Sequence, residues 1–565
     1  MACLPPPCPV VSRPQDEHGI QSRPLEIRQL PPLRTVLESP TGSNALPGYG
    51  GEERTSSSSR TWPYPFAEST SNSANREAVD MMMTVLAAHV GKRSIADVAS
   101  FACDPSLLFR LYPRHQKRYE ELLEAFDEVT TANSQTATSE LISGSFLPRA
   151  ALASLFARAA YGKMMRRGGG DCCSAFLGNA AAAQCSRHTH AAEVAAFCEL
   201  AAVKPSDFLA SSWDERTFQP AFVACWAHEM RWIVIAIRGS MNWKAILTDV
   251  AADVSEVAGG LAHSGMVRAS SWVLGQVQAV LCAAATMHPD YTVMCTGHSM
   301  GGNVAALLAV QFRDFHARAL ASEAGFADYA SPAFGRTVCY AFGPSPLVSP
   351  GLATRCEPFV LSIARNFDFV TRLSVFGLDK LLLEMTEQSA PLLFKQWLSD
   401  KFSSESPTCR AEARRRAFGS SDRIPEPLVP PGRLLHINSR PTGSSQAVEL
   451  FWSLPGFYHQ LLISVRMFQD HLPIKYVEDL LRAVGASAGQ HTRELHLKSR
   501  ASGGVDAHVR VRGTLESLII AQEQGLSGYM ARAEAPPSLA SSSTPSACSE
   551  SPSAVSGVVD SLEPS

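Results

Sequence analysis

Tyr291–Val310 reads Y-T-V-M-C-T-G-H-S-M-G-G-N-V-A-A-L-L-A-V. A β-prone run, Tyr291 to Thr296, meets glycine, serine and two more glycines, and a small-residue helical run follows from Asn303 to Val310. The pattern is strand, sharp turn, helix. Gly297, Ser299 and Gly301 form G-x-S-x-G, and a serine on so tight a turn leaves no room for Cβ atoms beside it, which explains Gly297, Gly301 and Gly302 around His298 and Ser299. The turn pushes the serine oxygen out at the carboxyl end of a sheet. The following helix aims its unpaired amides and positive dipole end at negative charge forming there.

The same five-residue pattern recurs at Gly485–Gly489, but a helical run, Tyr476 to Val484, precedes it and polar residues follow. With no strand in front, it reads as a helix stop with Gly485 in the left-handed position. Context separates the two serines.

Outward from Ser299, the strand candidates are Phe222–Cys225 and Trp232–Ile237, paired across a turn, then Val338–Phe342, Phe359–Ile363, Leu434–Ile437 and Val448–Phe451. Helical stretches are expected at Phe146–Tyr161, Trp243–Val257, Val267–Met287 and Asn303–Phe315. Alternating strands and helices, with continuous apolar strands such as W-I-V-I-A-I, predict an α/β fold with a mostly parallel sheet covered on both faces.

A serine hydroxyl attacks only when a base takes its proton and a third group orients that base. On such a sheet the acid and the histidine follow the serine in chain order. Asp368 directly follows the strand Phe359–Ile363 and is the acid candidate, although an Asp there could simply form a turn and pair with Arg372. Asp379 and Asp400 lie in a helical stretch away from strand ends. His471 is the base candidate: it follows the last strand-like segment, and Pro473 marks a loop. His436 sits inside a strand, and His459 in a helical Gly456–Phe468 region. The oxyanion formed during ester cleavage needs donors: the Met300 amide, and Ser240 at the end of Trp232–Ile237-R-G-S.

These residues resemble the class 3 lipases, in particular the sn-1-specific diacylglycerol lipase branch. The matching stretches are collinear: P-A-F-V from Pro220, I-R-G-S from Ile237, L-T-D-V from Leu247, H-S-G-M from His263, G-H-S-M-G-G from Gly297, F-G-P-S-P from Phe342, D-F-V-T-R-L-S from Asp368, P-G-R-L-L-H-I from Pro431 and D-H-L-P-x-K-Y from Asp470. They span about Phe146 to Val484. The resemblance implies an α/β-hydrolase that releases fatty acid from diacylglycerol or a similar acylglycerol through Ser299, Asp368 and His471, with no metal or organic cofactor. A phospholipase or other ester hydrolase on the same scaffold, and a catalytically silent lipid-binding scaffold, are the alternative readings. Animal members of the branch carry transmembrane helices ahead of the catalytic domain, and no uninterrupted apolar stretch of about 18 residues occurs here.

The expected organisation is a disordered tail at 1–75, a helical extension at 76–145, the hydrolase domain at 146–484, a C-terminal extension at 485–534 and a second disordered tail at 535–565. An insert at 374–430 carries a run of leucines, Trp397 and Phe402, then Arg410 and Arg414 to Arg416; it could gate the site or touch a membrane, or be a decorated surface loop.

Of the 565 residues 45% are hydrophobic and 18% charged, enough for a large core, and the formal net charge of -3 gives no reason to expect a nucleic-acid partner. Fourteen cysteines are scattered without a C-x-x-C pair, as buried hydrophobes in a reducing compartment are. His188 and His190 near Cys185 read as a solvated loop rather than a metal site. No secretory signal and no Asn-x-Ser/Thr acceptor appear. The expectation is a cytoplasmic protein that meets its lipid substrate peripherally, at a membrane or lipid-droplet surface.

Overall fold

In the computed structural model the described residues are 106–135, 146–166, 189–240, 254–388, 427–442, 445–488 and 505–523. In chain order they form α1 (Ser106–Gln135), α2 (Phe146–Ala159), α3 (His190–Ala201), β1 (Phe208–Ser212), β2 (Phe222–Ala227), β3 (Trp232–Ile237), β4 (Val254–Val257), β5 (Gly260–His263) and α4 (Ser264–Met287). The chain continues as β6 (Thr292–His298), α5 (Met300–Leu320), β7 (Val338–Phe342), β8 (Val360–Arg365), α6 (Val375–Gln388), β9 (Arg433–Thr442), β10 (Ser445–Ser453), α7 (Pro473–Ala488) and α8 (Val505–Glu523), with short helical turns between.

Eight strands make one sheet in the order β1-β2-β3-β6-β7-β8-β9-β10. The run from β3 to β9 is parallel, and β1, β2 and β10 add antiparallel edges. The sheet is mostly parallel, with apolar packing on both faces. The period of two in W-I-V-I-A-I splits its side chains between two cores. Trp232, Val234 and Ala236 join Phe156, Phe197, Leu480 and Leu515 on one face, while Ile233, Ile235 and Ile237 join Val277, Leu307 and Phe312 on the other. Helix α2 is apolar nearly all round and is accordingly enclosed, with eleven of its fourteen residues buried.

Four local expectations change. Within the expected helix Trp243–Val257, residues 241–253 lie outside the described set, and Val254–Val257 is a strand paired with β5. Ala258 and Gly259 both take positive φ and close the hairpin between the two strands. Helix α7 runs through Gly485 to Ala488; Gly485 is not left-handed, and Ser487 lies inside a helix. Pro473 opens that helix at its first position instead of marking a loop, because the missing N–H costs nothing there. The Gly456–Phe468 region is a 3-10 turn, irregular chain and a four-residue helix, Met467–Asp470. Its backbone is used elsewhere: the Ile463 amide donates to His115 Nδ1 (2.8 Å).

Strand β1 carried no recognisable signal, since F-L-A-S-S is short, half-buried and at the sheet edge. Of the insert, only its first helix and its return at residues 427–430 are described. Leu378 and Leu381 on α6 are buried. Glu384 on the same helix accepts from His115 Nε2 of α1 (2.8 Å) and from Gln460 Nε2 (2.7 Å). Residues 1–105, including the expected tail and the first helices, and residues 524–565 are outside the described set, as are Cys185, His188 and Asp400. Among the described residues no helix is long and apolar enough to cross a membrane.

Candidate active site

Strand β6 ends at His298 and α5 begins at Met300, so Ser299 is the whole turn. Its φ of 60° and ψ of -132° is a conformation L-residues avoid, and it stores strain on the order of 1–3 kcal/mol. Backbone approaches enforce it. A Cβ on Gly301 would lie on the Ile237 carbonyl and 2.8 Å from the Arg238 carbonyl carbon, and one on Gly297 would lie on the Gly301 carbonyl. A Cβ on Gly302 would stand 3.1 Å from the Gly297 carbonyl oxygen. The Ser299 amide donates to the Phe342 carbonyl (2.8 Å), which ties the turn to β7. Ser299 Oγ is buried and has no hydrogen-bond partner.

Asp368 follows β8 and is fully buried. Its Oδ1 accepts from the Val370 amide (2.8 Å), and both oxygens lie within 2.9 Å of His471 Nδ1. The Tyr476 hydroxyl donates to Oδ2. A carboxylate that meets three donors is an acceptor, so Nδ1 of His471 carries a proton, and in that tautomer the lone pair lies at Nε2. Burial, then the charge of Asp368 and the bond to it, push the Tyr476 phenol well above its usual value and keep it a donor. The alternative reading of Asp368, a turn residue paired with Arg372, has no ion pair behind it among the described residues. Arg372 Nη1 instead donates to the carbonyls of Phe457 (2.9 Å) and Gln460 (3.4 Å), in the chain leading to His471.

Asp470, beside the candidate base, belongs to a different pairing. Arg365 Nη1 donates to Asp470 Oδ1 and Arg365 Nε to Asp479 Oδ2 (2.6 Å), with all three side chains buried. Asn366 Nδ2 adds a bond to Asp470 (3.2 Å). The end of β8 is thus fastened to the residue preceding His471 and to α7.

The proposed oxyanion donors flank the serine. Met300 is the first residue of α5, so its amide has no acceptor within the helix. Gly239 packs against the elbow, where a Cβ would stand 3.1 Å from Ser299 Cβ, and buried Ser240 follows it. His436 is buried between the hydroxyls of Tyr119 and Tyr458 (2.9 Å each), and burial followed by the charges of Arg372 and Arg365 holds it well below the ordinary imidazole value. His459 packs edge-on to Phe376, with ring centroids 5.8 Å apart.

Gly343 and Tyr476 were not singled out from the sequence, although both lie in the quoted F-G-P-S-P and D-H-L-P-x-K-Y runs. Gly343 has φ of +58°, and a Cβ there would stand 2.8 Å from Asp368 Oδ2 and 3.1 Å from His471 Nδ1. Its absent side chain is the space the pair occupies. Among the described residues no cluster of His, Cys, Asp and Glu could hold a metal ion.

The family model described as lipase (class 3) matches residues 234–377, the stretch that holds the elbow and Asp368. Over that stretch the chain is similar to the class 3 lipases. A stretch of 222 residues is 27% identical to diacylglycerol lipase-beta of Mus musculus, covering 38% of this chain and 30% of that protein. Diacylglycerol lipase-alpha of Homo sapiens is 23% identical over 311 residues, 48% of this chain and 28% of that one. Secreted mono- and diacylglycerol lipase 1 of Fusarium solani is 34% identical over 84 residues, 14% of this chain and 25% of that one. The chain therefore spans less than a third of the length of these curated relatives. A solved structure of the triacylglyceride lipase of Rhizomucor miehei aligns at 14% identity and a TM-score of 0.29, over 46% of this chain and 83% of that one.

Proposed function

We propose that the chain is a serine hydrolase of acylglycerols, cleaving diacylglycerol to monoacylglycerol and free fatty acid. Ser299 Oγ attacks the ester carbonyl, and His471 Nε2 takes its proton and returns it to the departing alcohol. Asp368 holds the imidazolium through Nδ1, and the Met300 and Ser240 amides receive the oxyanion. Water then repeats the cycle on the acyl-enzyme. The chemistry needs no metal or organic cofactor.

The observation that supports this reading is the buried Asp368–His471 pair, whose His471 carbonyl oxygen lies 2.6 Å from Nε2 of His298, the residue before the strained serine. Diacylglycerol as substrate rests on the names of the relatives. Purified protein and its Ser299→Ala variant should be treated with a fluorophosphonate probe and then assayed on diacylglycerol, monoacylglycerol, triacylglycerol and phosphatidylcholine. The expected outcome is labelling of wild type alone and fastest release of fatty acid from diacylglycerol. Equal labelling of the variant, or none of wild type, overturns the hydrolase; phosphatidylcholine as the preferred substrate overturns the diacylglycerol assignment only.

A further inference from the structure

His298, immediately before the nucleophile, is fully buried and faces a partner on each ring nitrogen. Its Nε2 lies 2.6 Å from the backbone carbonyl oxygen of His471. A carbonyl only accepts, so Nε2 carries the proton and Nδ1 is the lone pair, which the Tyr161 hydroxyl meets at 2.8 Å by donating to it. The two partners fix the tautomer between them. Burial, and then the neighbouring His471, hold the His298 imidazole well below its ordinary value, so it stays neutral when His471 takes a proton. The two rings are 4.4 Å apart, tilted by 40°.

The same hydroxyl also touches the third part of the site. A Cβ on Gly239 would land on Tyr161 Oη and 2.5 Å from the His298 carbonyl oxygen, so Tyr161 sits against the loop that carries Ser240. Tyr161 itself is anchored just past the end of the enclosed helix α2 and is buried. A continuous line thus runs from the Ser240 loop through Tyr161 and His298 to the main chain of His471.

We propose that Tyr161 and His298 are positioning residues of the hydrolytic site, forming a neutral hydrogen-bonded relay that sets the spacing between the nucleophile turn, the oxyanion loop and the base. The inference rests on the triad reading above and adds two residues to it. A buried histidine that merely fills the core would bond wherever a partner happened to lie. Here its donor is spent on the backbone of the base and its acceptor on a residue touching the oxyanion loop. Asp368 orients the His471 ring; the relay holds the main chain from which that ring is hung. Displacement of a reacting group by about 1 Å costs about 100-fold in rate, so loss of the relay should appear in turnover.

The test uses the full chain and its Tyr161→Phe, His298→Leu and His298→Gln variants, with kcat and KM on a water-soluble short-chain nitrophenyl ester, the rate of fluorophosphonate labelling, and thermal melting. Tyr161→Phe is expected to lose about 10-fold in kcat, and His298→Leu about 100-fold, with KM within about twofold of wild type. His298→Gln should recover most of the loss, since an amide can donate to the His471 carbonyl and accept from Tyr161. Should His298→Leu not fold, Tyr161→Phe, which deletes one oxygen, decides alone. Folded variants that match wild type in kcat, a change confined to KM, or a glutamine variant no better than the leucine one would each overturn the relay. A wild type inert to probe and ester overturns the hydrolase reading itself, and the relay with it.

Discussion

The nucleophile turn and the acid–base pair are built in opposite ways. Around Ser299 the geometry is enforced by backbone: Gly297, Gly301 and Gly302 lie against main-chain atoms of neighbours a few residues away or on the adjoining strand β3. Around Asp368 and His471 it is enforced by side chains reaching over long separations, Tyr476 to Asp368, Arg365 to Asp470 and Asp479, and Arg372 to the 457–460 carbonyls. Backbone contact leaves nothing that can rotate away, so that half tolerates no added atom. Side-chain ties fail one at a time and in proportion to their charge and burial.

Four substitutions or conditions sharpen that contrast, in falling order of effect. Gly301→Ala puts a methyl onto the Ile237 carbonyl, and neither partner is the end of a flexible chain; the expected result is loss of soluble folded protein, read from expression and gel filtration. A well-folded, active alanine variant would show that the elbow can give. Arg365→Met strands the buried carboxylates of Asp470 and Asp479 beside the base, although Arg482 still reaches Asp479. Removing one partner of a buried pair costs about 3–5 kcal/mol, so the urea midpoint should fall steeply and turnover with it.

Tyr476→Phe removes one of three donors to Asp368. A hydrogen bond to a charged group contributes about 1.5–3 kcal/mol, so kcat should drop by about 10- to 100-fold if all of it is felt in the transition state, with the fold retained. An unchanged kcat would assign Tyr476 to packing. The smallest effect is that of acid on stability. His298 and His436 are buried and held neutral, while in the unfolded chain each titrates near about 6.5. Below that pH the unfolded state binds more protons than the folded one, so this stability is whole above about 6.5 and is lost as pH falls through the window beneath it. Each group adds a slope of up to about 1.4 kcal/mol per pH unit. Urea midpoints between pH 7 and 5 should show it, and His298→Gln should flatten it.

Legibility in the sequence follows the same division. Ser299 could be read because strand, glycines and helix lie within twenty consecutive residues and answer to local sterics. Asp368 and His471 could be placed as candidates from strand order alone. Tyr161 could not be assigned a role: it meets His298 across 137 residues, and as a sequence feature it is only the end of an apolar helix. Asp470, next to His471 in the chain, has its carboxylate engaged by Arg365, a partner 105 residues away. Val254–Val257 was read as helix because a four-residue strand is shorter than the period that would reveal it, and its pairing with β5 comes from the Ala258–Gly259 turn.

By itself the sequence determined the sheet-and-helix alternation, the strained serine turn and the order in which acid and base must follow, since hydrophobic period and glycine sterics act between near neighbours. Only the tertiary structure decided which carboxylate, which tyrosines and which glycine surround the imidazole. Those partners are chosen by burial and hydrogen-bond satisfaction between segments that meet only when the sheet has formed.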